Sequence, residues 1–253
     1  MAGIPLSDDY PVRRVPTVTY ALIAANVVAY LVSPLSLLAF WYGGQALPRE
    51  CAVEHYFLRW AAVPVELLGG AQVEGSDVCP DPGHTKVAWV SAFTSMFMHG
   101  GPAHLIGNMV YLFVFGPVVE DRLGRLRYLG LYLGGGLVAT YAFALSQASA
   151  EIPLVGASGA ISAVLGAYLL VQHRSRVVTL VFIVVPVRLP GWALVGTYFV
   201  LQYFLYISMS TYPGSESGVA YAAHVYGFIA GVLGALLMHR IRWRSGMRRS
   251  DVY

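Results

Sequence analysis

Six long apolar segments follow one another along the chain, and Gly, Pro or charged residues separate them. Each segment holds roughly 20 mostly apolar residues, the length that a helix needs to cross a bilayer. The pattern therefore predicts an all-α membrane protein, built as a bundle of six transmembrane helices. The predicted helices are residues 17–40, 102–119, 128–148, 154–171, 191–209 and 219–238.

A further apolar stretch, residues 177–187, lies between the fourth and fifth predicted helices. Its roughly 11 residues are too few to span a bilayer as a helix, and Pro186 and Pro190 interrupt any helix there. We expect this stretch to extend a neighbouring helix or to form a re-entrant segment buried between helices. A seventh transmembrane helix is the alternative.

The composition narrows the class of protein. Of the 253 residues, 57% are hydrophobic and 11% are charged, whereas a soluble domain carries about 25% charged residues. These values exclude a soluble enzyme, a disordered chain and a small disulfide scaffold, and they make the lipid bilayer the expected surroundings. The 16 basic residues are dispersed at the ends of the apolar segments. Because they form no patch, we expect no nucleic-acid partner.

The basic residues also predict the orientation. With the N-terminus inside, the inner segments hold every basic residue except Arg49, Arg59 and Lys86. The positive-inside rule then places both termini in the cytoplasm, and a seventh span would put the Arg-rich tail outside. The prediction is a cytoplasmic N-terminal segment, a membrane domain and a basic cytoplasmic tail, at residues 1–16, 17–239 and 240–253.

A long outer loop, about residues 41–88, separates the first two predicted helices and contains both cysteines. An oxidising outer compartment favours a disulfide between Cys51 and Cys79. Their spacing to His55 and His84 also fits a zinc site, and free thiols are the third alternative. Residues 56–68 mix apolar and charged positions, as in an amphipathic helix that lies in the interface plane.

Four polar side chains lie inside the apolar segments, where burial of such groups is costly. His104 and Asn108 share one face of the second helix, Ser158 begins the fourth, and His224 lies in the sixth. These three helices all enter from the outside in the predicted topology. The four side chains are therefore expected at one depth, in the outer half of the membrane.

Small residues accompany these polar groups. Ser158, Ser162 and Gly166 repeat every fourth residue, and glycines follow His224 along one stripe of the sixth helix. Small residues on facing stripes let membrane helices approach closely. A hydroxyl and an imidazole on such helices can meet as a serine nucleophile and its histidine base. The pair is a dyad, because no Asp or Glu lies at that depth nearby.

Two more groups fit the same chemistry. His104 and Asn108 are donors that can face a developing oxyanion, together with the backbone amide of Ser158 at the positive end of its helix. No cofactor or metal ion is expected. Each residue taken alone also has a structural explanation, since Ser158 can pack helices, His224 can hydrogen-bond within the bundle, and His104 with Asn108 can tie helices together.

The residues around these positions resemble the rhomboid intramembrane serine proteases. The similar stretches are TSMFMHGGPAHLIGNM at residues 94–109, followed by Phe115, Gly116, Glu120 and Gly124, then GASG at 156–159 and AHVYGFIAG at 223–231. Together they cover about residues 89–235, well over half of the chain. The first helix and the long loop also lie where that family has them.

The resemblance implies a role for each matched residue. Ser158 is the nucleophile, His224 is the base and then the acid, and His104 with Asn108 forms the oxyanion site. The remaining matched residues, expected to shape the site, are His99, Gly156, Gly159, Gly227 and Gly231.

The resemblance also implies an environment and a substrate. Single-pass transmembrane proteins are the implied substrates and partners, cut at small residues in a helix that unwinds easily. A cavity open to the outside supplies water. Separately from the resemblance, the expected location of the protein is a bacterial or archaeal plasma membrane. The fifth helix, with Trp192, Tyr198, Phe199 and Phe204, is the implied lateral gate.

The sequence departs from the family pattern in two places. Members carry a tyrosine one turn after the nucleophile, stacked on the base, where this chain has Ser162. Tyr226 or Tyr168 is then left to orient His224. The loop also lacks the usual Trp-Arg pair, because Trp60 follows Arg59 in reversed order and Trp89 has no adjacent arginine.

Two other functions compete with proteolysis. A rhomboid-like protein without catalysis would bind membrane helices, but the serine and histidine that such a protein loses are both present. A small transporter would relay protons through His104, His224 and Glu120, although Glu120 beside Asp121 and Arg122 is better explained as a solvated helix end.

Overall fold

A computed structural model describes residues 3–36, 38, 48–70, 72–79, 86–181, 184–211 and 220–250, with the side chains of 209–211 and 239–250 left aside. These residues form mainly helices. They are α1 (Thr17–Leu31), α2 (Arg49–Trp60), α3 (Pro64–Leu67), α4 (Ala88–Thr94), α5 (Pro102–Leu123), α6 (Arg125–Ser146), α7 (Ser158–Val171), α8 (Gly191–Thr211) and α9 (Tyr221–Ser250). A 3-10 turn, Ser95–Phe97, follows α4.

One helix lies within or across each of the six segments predicted to span the membrane. In the described part of the chain, α5, α6 and residues Tyr221–Met238 of α9 are long and apolar enough to cross a bilayer. Two of the other helices are shorter than predicted, with 15 residues in α1 and 14 in α7. The number of six transmembrane spans therefore stays a prediction.

The prediction of an all-α protein is confirmed in part, because the described residues are mainly helical but three strands also form a small antiparallel sheet in the order β1-β2-β3. They are β1 (Ile4–Asp8), β2 (Arg176–Val181) and β3 (Val185–Pro190). The stretch at 177–187 is thus neither a re-entrant helix nor a seventh span. Its valines favour extended backbone. Strand β3 lies at the edge of the sheet, where Pro186 and Pro190 are tolerated although proline has no backbone N–H to donate to a neighbouring strand. The N-terminal segment adds β1 by pairing Ile4 with Leu180.

Helix α7 is the centre of the bundle and packs against α5, α6, α8 and α9. All of its residues from Gly159 to Tyr168 are buried. The small residues predicted to bring α7 and α9 together do so in the structure. A Cβ added to Gly231 would lie 1.9 Å from the carbonyl oxygen of Ala163, and one added to Gly166 would lie 2.2 Å from that of Phe228. Helices this close exclude any larger side chain from those positions.

Glu120, near the end of α5, is buried at 3% exposure and is not the solvated helix end that was expected. Its carboxylate accepts hydrogen bonds from the backbone N–H groups of Val18 and Thr19 and from the Thr19 hydroxyl, at 3.1, 2.8 and 2.8 Å. The first N–H groups of a helix lack partners within the helix, and their positive dipole favours an anion. This side chain of α5 therefore caps the start of α1.

The loop after α1 is tied together by a disulfide between Cys51 and Cys79, whose Cα atoms lie 5.2 Å apart. The structure therefore shows the disulfide and excludes the zinc and free-thiol alternatives for these sulfurs; His84 lies outside the described residues. The helix expected at 56–68 is divided into α2 and α3. It stops at Trp60 because residue 61 is extended, and Pro64 starts the next helix.

The loop keeps an arginine beside a tryptophan despite the reversed order. The guanidinium carbon of Arg59 lies 5.2 Å from the ring centroid of Trp60, which is within cation–π range. A second charged contact is the ion pair between Lys86 and Glu66. Ala62 then exchanges two backbone hydrogen bonds with Leu154, the residue that leads into α7. The loop thereby holds the segment that precedes Ser158.

Candidate active site

Ser158 and His224 are in direct contact. Ser158 is the first residue of α7, and His224 lies in the first turn of α9. The Oγ atom of Ser158 lies 2.7 Å from Nε2 of His224, a hydrogen-bond distance for an alcohol and an imidazole. The structure therefore brings together the two residues that the sequence placed at one depth on separate helices.

The loop before α7 fixes the position of Ser158. The N–H of Gly156 donates to the carbonyl of Ser95 at 2.9 Å. Gly156 has φ +126°, where L residues rarely lie, and a Cβ there would be 2.8 Å from Nε2 of His104 and 3.5 Å from Oγ of Ser158. Only glycine fits this position, because both the backbone conformation and the nearby imidazole exclude a side chain. Gly156 thus lets the His104 ring approach Ser158.

His104 lies in the first turn of α5, and its Nδ1 accepts a hydrogen bond from the Gly100 N–H at 3.4 Å. In a neutral imidazole one nitrogen accepts and the other carries the proton. Nε2 of His104 is then the donor, and it is the atom that faces Gly156 beside Ser158. His104 is exposed, whereas Ser158 is half-buried and His224 is buried. The site therefore opens to its surroundings on the His104 side.

His99 supports His104 from the segment between the 3-10 turn and α5. The two rings meet edge to face with centroids 5.1 Å apart. His99 is 1% exposed, so its ring is shielded from solvent. Burial, together with the neighbouring His104, lowers the pKa of His99 to about 4. The ring is therefore neutral at pH 7 and packs as an uncharged side chain.

Asn108 is buried one turn beyond His104. Its Nδ2 donates a hydrogen bond to the backbone carbonyl of His104 at 3.1 Å, and within the described residues the Asn108 amide is engaged in this bond. The structure thus places Asn108 on the same helix face as His104, as predicted. It does not bring the Asn108 amide into hydrogen-bond contact with Ser158 or His224, which both lie in the described part of the chain.

The second ring nitrogen of His224 has a partner that the sequence analysis missed. Nδ1 lies 2.9 Å from Oε1 of Gln202, a buried side chain on α8. Gln202 is the amide residue within the predicted fifth span. The same reasoning about costly polar groups at membrane depth that identified Ser158 would have identified Gln202 as well.

The two tyrosines expected to orient His224 have other partners. The Tyr168 hydroxyl donates to Asp8 of β1, and the Tyr226 hydroxyl lies 3.3 Å from that of Tyr206. That expectation is wrong, because these hydroxyls are held away from the imidazole. The ring of Tyr221 meets His224 edge-on at 6.3 Å.

Ser162, at the position where the family has a tyrosine, is fully buried and lies 2.9 Å from the hydroxyl of Tyr198 on α8. Of the aromatic residues assigned to a gate, Tyr198 and Phe199 face the bundle, and Phe199 stacks on Phe228 at 4.5 Å. Trp192 and Phe204 are exposed. Helix α8 therefore presents one aromatic face to the bundle and another away from it.

The remaining glycines of the matched motifs pack the two helices that carry Ser158 and His224. A Cβ on Gly227 would lie 2.2 Å from the carbonyl oxygen of Gly159, and a Cβ on Gly159 would lie 2.9 Å from the Cβ of Ala139 on α6. The close approach of α7 and α9 at these glycines is what allows a serine and a histidine on different helices to meet.

Comparison with known proteins identifies relatives of the same kind. A family model described as the Rhomboid domain matches residues 86–241, more than half of the chain. Rhomboid-related protein 2 of Mus musculus is 28% identical over 192 residues, which are 72% of this chain and 59% of the mouse protein.

Two Bacillus subtilis proteins match shorter parts. The putative rhomboid protease YdcA is 30% identical over 102 residues, 36% of this chain and 51% of YdcA. Rhomboid protease GluP is 38% identical over 88 residues, 35% of this chain and 17% of GluP. The matched regions thus span less than two thirds of the length of each relative. The domain match, which contains Ser158, His224 and His104, shows that this chain belongs to the rhomboid family.

Proposed function

We propose that this chain is an intramembrane serine endopeptidase that cleaves single-pass transmembrane proteins through a Ser158–His224 dyad. The observation that carries the proposal is the 2.7 Å contact between Oγ of Ser158 and Nε2 of His224. A nucleophile and a base within hydrogen-bond reach are the minimum that acyl transfer requires. One relative, GluP, is named a rhomboid protease, which supports the same function.

The positions of these atoms support the following reaction. Oγ of Ser158 attacks the carbonyl carbon of the scissile bond while Nε2 of His224 takes the hydroxyl proton. His224 then gives this proton to the departing amine, which leaves an acyl group on Ser158. A water molecule then attacks the acyl carbon and loses a proton to His224. His224 returns this proton to Oγ of Ser158 as the bond between Oγ and the acyl carbon breaks, which releases the acid product and restores the serine.

The oxyanion that forms at the carbonyl needs donors. Ser158 is the first residue of α7, so its own N–H has no partner within the helix. Nε2 of His104 faces the same space beside Gly156. Asn108 completes the proposed oxyanion site if its amide turns from the His104 carbonyl when substrate binds. Each such donor lowers a barrier by about 3 kcal/mol.

The site also needs water and a route for the substrate. His104 is exposed beside the half-buried Ser158, so the His104 side is the proposed opening for water. With six spans and both termini in the cytoplasm, this opening faces outside. The substrate helix is proposed to enter laterally at α8, whose outer face carries Trp192 and Phe204.

A rhomboid-like binding protein without catalysis is the second candidate, and the geometry favours the protease because both partners of the dyad are present and in contact. A proton-relay transporter is less consistent with the fold. Glu120 lies 16 residues beyond His104 on α5, about 24 Å along the helix axis, and its carboxylate is used to cap α1.

A fluorophosphonate probe tests the nucleophile. The full chain in detergent is expected to be labelled, and Ser158→Ala is expected to remain unlabelled. Ser91→Ala is the matched control, because Ser91 is also buried and its hydroxyl bonds to the Ala88 carbonyl. Labelling of Ser158→Ala at the wild-type level would remove Ser158 from the nucleophile role, and an unlabelled wild type would favour the binding protein.

A further inference from the structure

We propose that Gln202 is the positioning residue of the catalytic base, holding the proton of His224 on Nδ1 so that Nε2 can accept the proton of Ser158. The inference rests on the proposed function and adds to it a third residue, from a helix that supplies neither partner of the dyad. Gln202 acts through His224 and does not touch the reacting atoms.

The two ring nitrogens of His224 have different partners. Nε2 lies 2.7 Å from Oγ of Ser158, and Nδ1 lies 2.9 Å from Oε1 of Gln202. An amide oxygen only accepts hydrogen bonds, so Nδ1 must be the nitrogen that carries the proton. In the neutral ring Nε2 then has a free lone pair, directed at the serine hydroxyl. This is the tautomer that a general base needs.

The opposite tautomer would stop the reaction. If Nε2 carried the proton, its N–H would point at Oγ of Ser158 and no lone pair would be available to take the hydroxyl proton. An isolated imidazole exchanges between the two forms, so some neighbouring group must select one. Among the described residues, Gln202 is the hydrogen-bond partner that Nδ1 has.

The packing of α8 on α9 holds the Gln202 amide in place. Three residues before it, Phe199 stacks on Phe228 with ring centroids 4.5 Å apart. Four residues after it, the hydroxyl of Tyr206 lies 3.3 Å from that of Tyr226. Residues three and four apart share one helix face, so Gln202 is fixed between two aromatic contacts to the helix that carries His224.

A neutral amide suits this location. Gln202 is buried at 9% exposure, and an ionised carboxylate there would carry a large desolvation cost. The amide selects the tautomer without bringing a charge into the bundle. Because it does not stabilise the imidazolium as a carboxylate would, its removal is expected to cost less than the loss of the third residue of a soluble triad.

The test compares steady-state cleavage of a tagged single-span substrate by the full chain and its variants. Gln202→Met keeps the length of the side chain and removes the amide oxygen. Gln202→Glu keeps an oxygen that can accept from Nδ1–H, and the desolvation cost of its carboxyl group lowers the stability of the folded protein rather than kcat. We expect Gln202→Met to lower kcat about 10- to 100-fold, part of the about 100- to 10,000-fold that a general base supplies, with KM unchanged within about 2-fold. Gln202→Glu should restore kcat to within about 5-fold of wild type.

Tyr206→Phe is the matched control. It removes the hydroxyl contact with Tyr226 but keeps the edge-to-face contact between the two rings, whose centroids lie 6.2 Å apart and which holds this part of the α8–α9 interface; we therefore expect wild-type kcat. A lowered kcat in Tyr206→Phe equal to that of Gln202→Met would show that interface packing, and not the acceptor, matters. Wild-type kcat in Gln202→Met, or a Gln202→Glu enzyme as slow as Gln202→Met, would overturn the inference.

A spectroscopic measurement on the wild type tests the inference even if the variants fold poorly or lose activity for other reasons. Nitrogen-15 NMR of histidine-labelled full chain distinguishes a protonated Nδ1 from a protonated Nε2. We expect His224 to carry its proton on Nδ1 in the wild type, and a signal from the Nε2-protonated form there would overturn the inference by itself. A wild type that neither cleaves nor binds the fluorophosphonate probe would instead reject the proposed function, so the two failures are distinct.

Discussion

Gly227 of α9 lies directly against Gly159 of α7, so closely that a Cβ on Gly227 would be 2.2 Å from the Gly159 carbonyl oxygen. His224 lies one turn before Gly227 on α9, and Ser158 immediately precedes Gly159 on α7. The contact between the two glycines therefore sets the distance between the serine and the histidine.

Replacing Gly227 with Ala should separate α7 and α9, because the backbone oxygen it would meet cannot turn away. Overpacking of this kind costs about 1–3 kcal/mol. Unfolding of the full chain in detergent–SDS mixtures measures the loss. Gly130→Ala is the matched control, since a Cβ on Gly130 of α6 meets nothing within 4 Å, and it should unfold like wild type. Equal stability of both variants would contradict the close contact.

Glu120→Gln should destabilise the protein by about 1.5–3 kcal/mol, the range for hydrogen bonds that involve a charged group. The amide keeps one acceptor for Val18 or Thr19 but removes the anion from the start of α1. The melting temperature in detergent checks this, and fluorophosphonate labelling of the folded fraction should be unchanged. A melting temperature equal to that of the wild type would contradict the capping role of Glu120.

Removing the disulfide should destabilise the loop. The bond joins residues 28 apart, and a closed loop of this length is worth about 3–4 kcal/mol. We expect Cys51→Ser with Cys79→Ser to lower the melting temperature, and reductant to lower that of the wild type by a similar amount. The double variant should not respond to reductant, and a wild type that does not respond either would show that the bond contributes nothing.

Buried His99 should make stability depend on pH. Its pKa is lowered from the ordinary histidine value of 6.5 to about 4 in the folded chain, so below pH 6.5 the unfolded chain binds a proton that the folded chain does not. The effect of His99 on the free energy of unfolding is therefore absent above pH 6.5. As the pH drops towards 4, proton uptake by His99 in the unfolded chain lowers the free energy of unfolding by up to about 3 kcal/mol. His104 is the titratable group that faces His99.

Comparing wild type with His99→Phe from pH 7.5 to 4 isolates this contribution, because the variant keeps a ring but cannot take up the proton. As the pH falls, the free energy of unfolding of the wild type should decrease more than that of His99→Phe. Parallel curves would show that His99 does not titrate with a lowered pKa.

The sequence was most informative about residues whose burial in an apolar helix costs free energy, because such residues can be recognised from their neighbours in the chain. Polar groups in apolar helices identified Ser158, His224 and His104, and the small-residue stripes predicted the contact between α7 and α9 that the glycines make. Gln202 is as costly to bury as these residues and follows from the same rule. Its helix also fits a lateral gate, and that role accounts for the aromatic residues of the helix but not for a buried amide.

The sheet could not be predicted from local pattern. Residues 177–187 are almost uniformly apolar, so periodicity does not separate strand from helix. Strand β1 pairs Ile4 with Leu180 across most of the chain, and such long-range pairing leaves no local signal. The choice between a disulfide and a zinc site was likewise undecided, because spacing does not give the distance between Cys51 and Cys79 in space.

The most direct test of the central claim is cleavage of a tagged single-span membrane protein by the full chain in liposomes. The account predicts that wild type and Ser91→Ala release the tagged domain, and that Ser158→Ala and His224→Ala, with melting temperatures close to wild type, do not. Release by Ser158→Ala at the wild-type rate would contradict it.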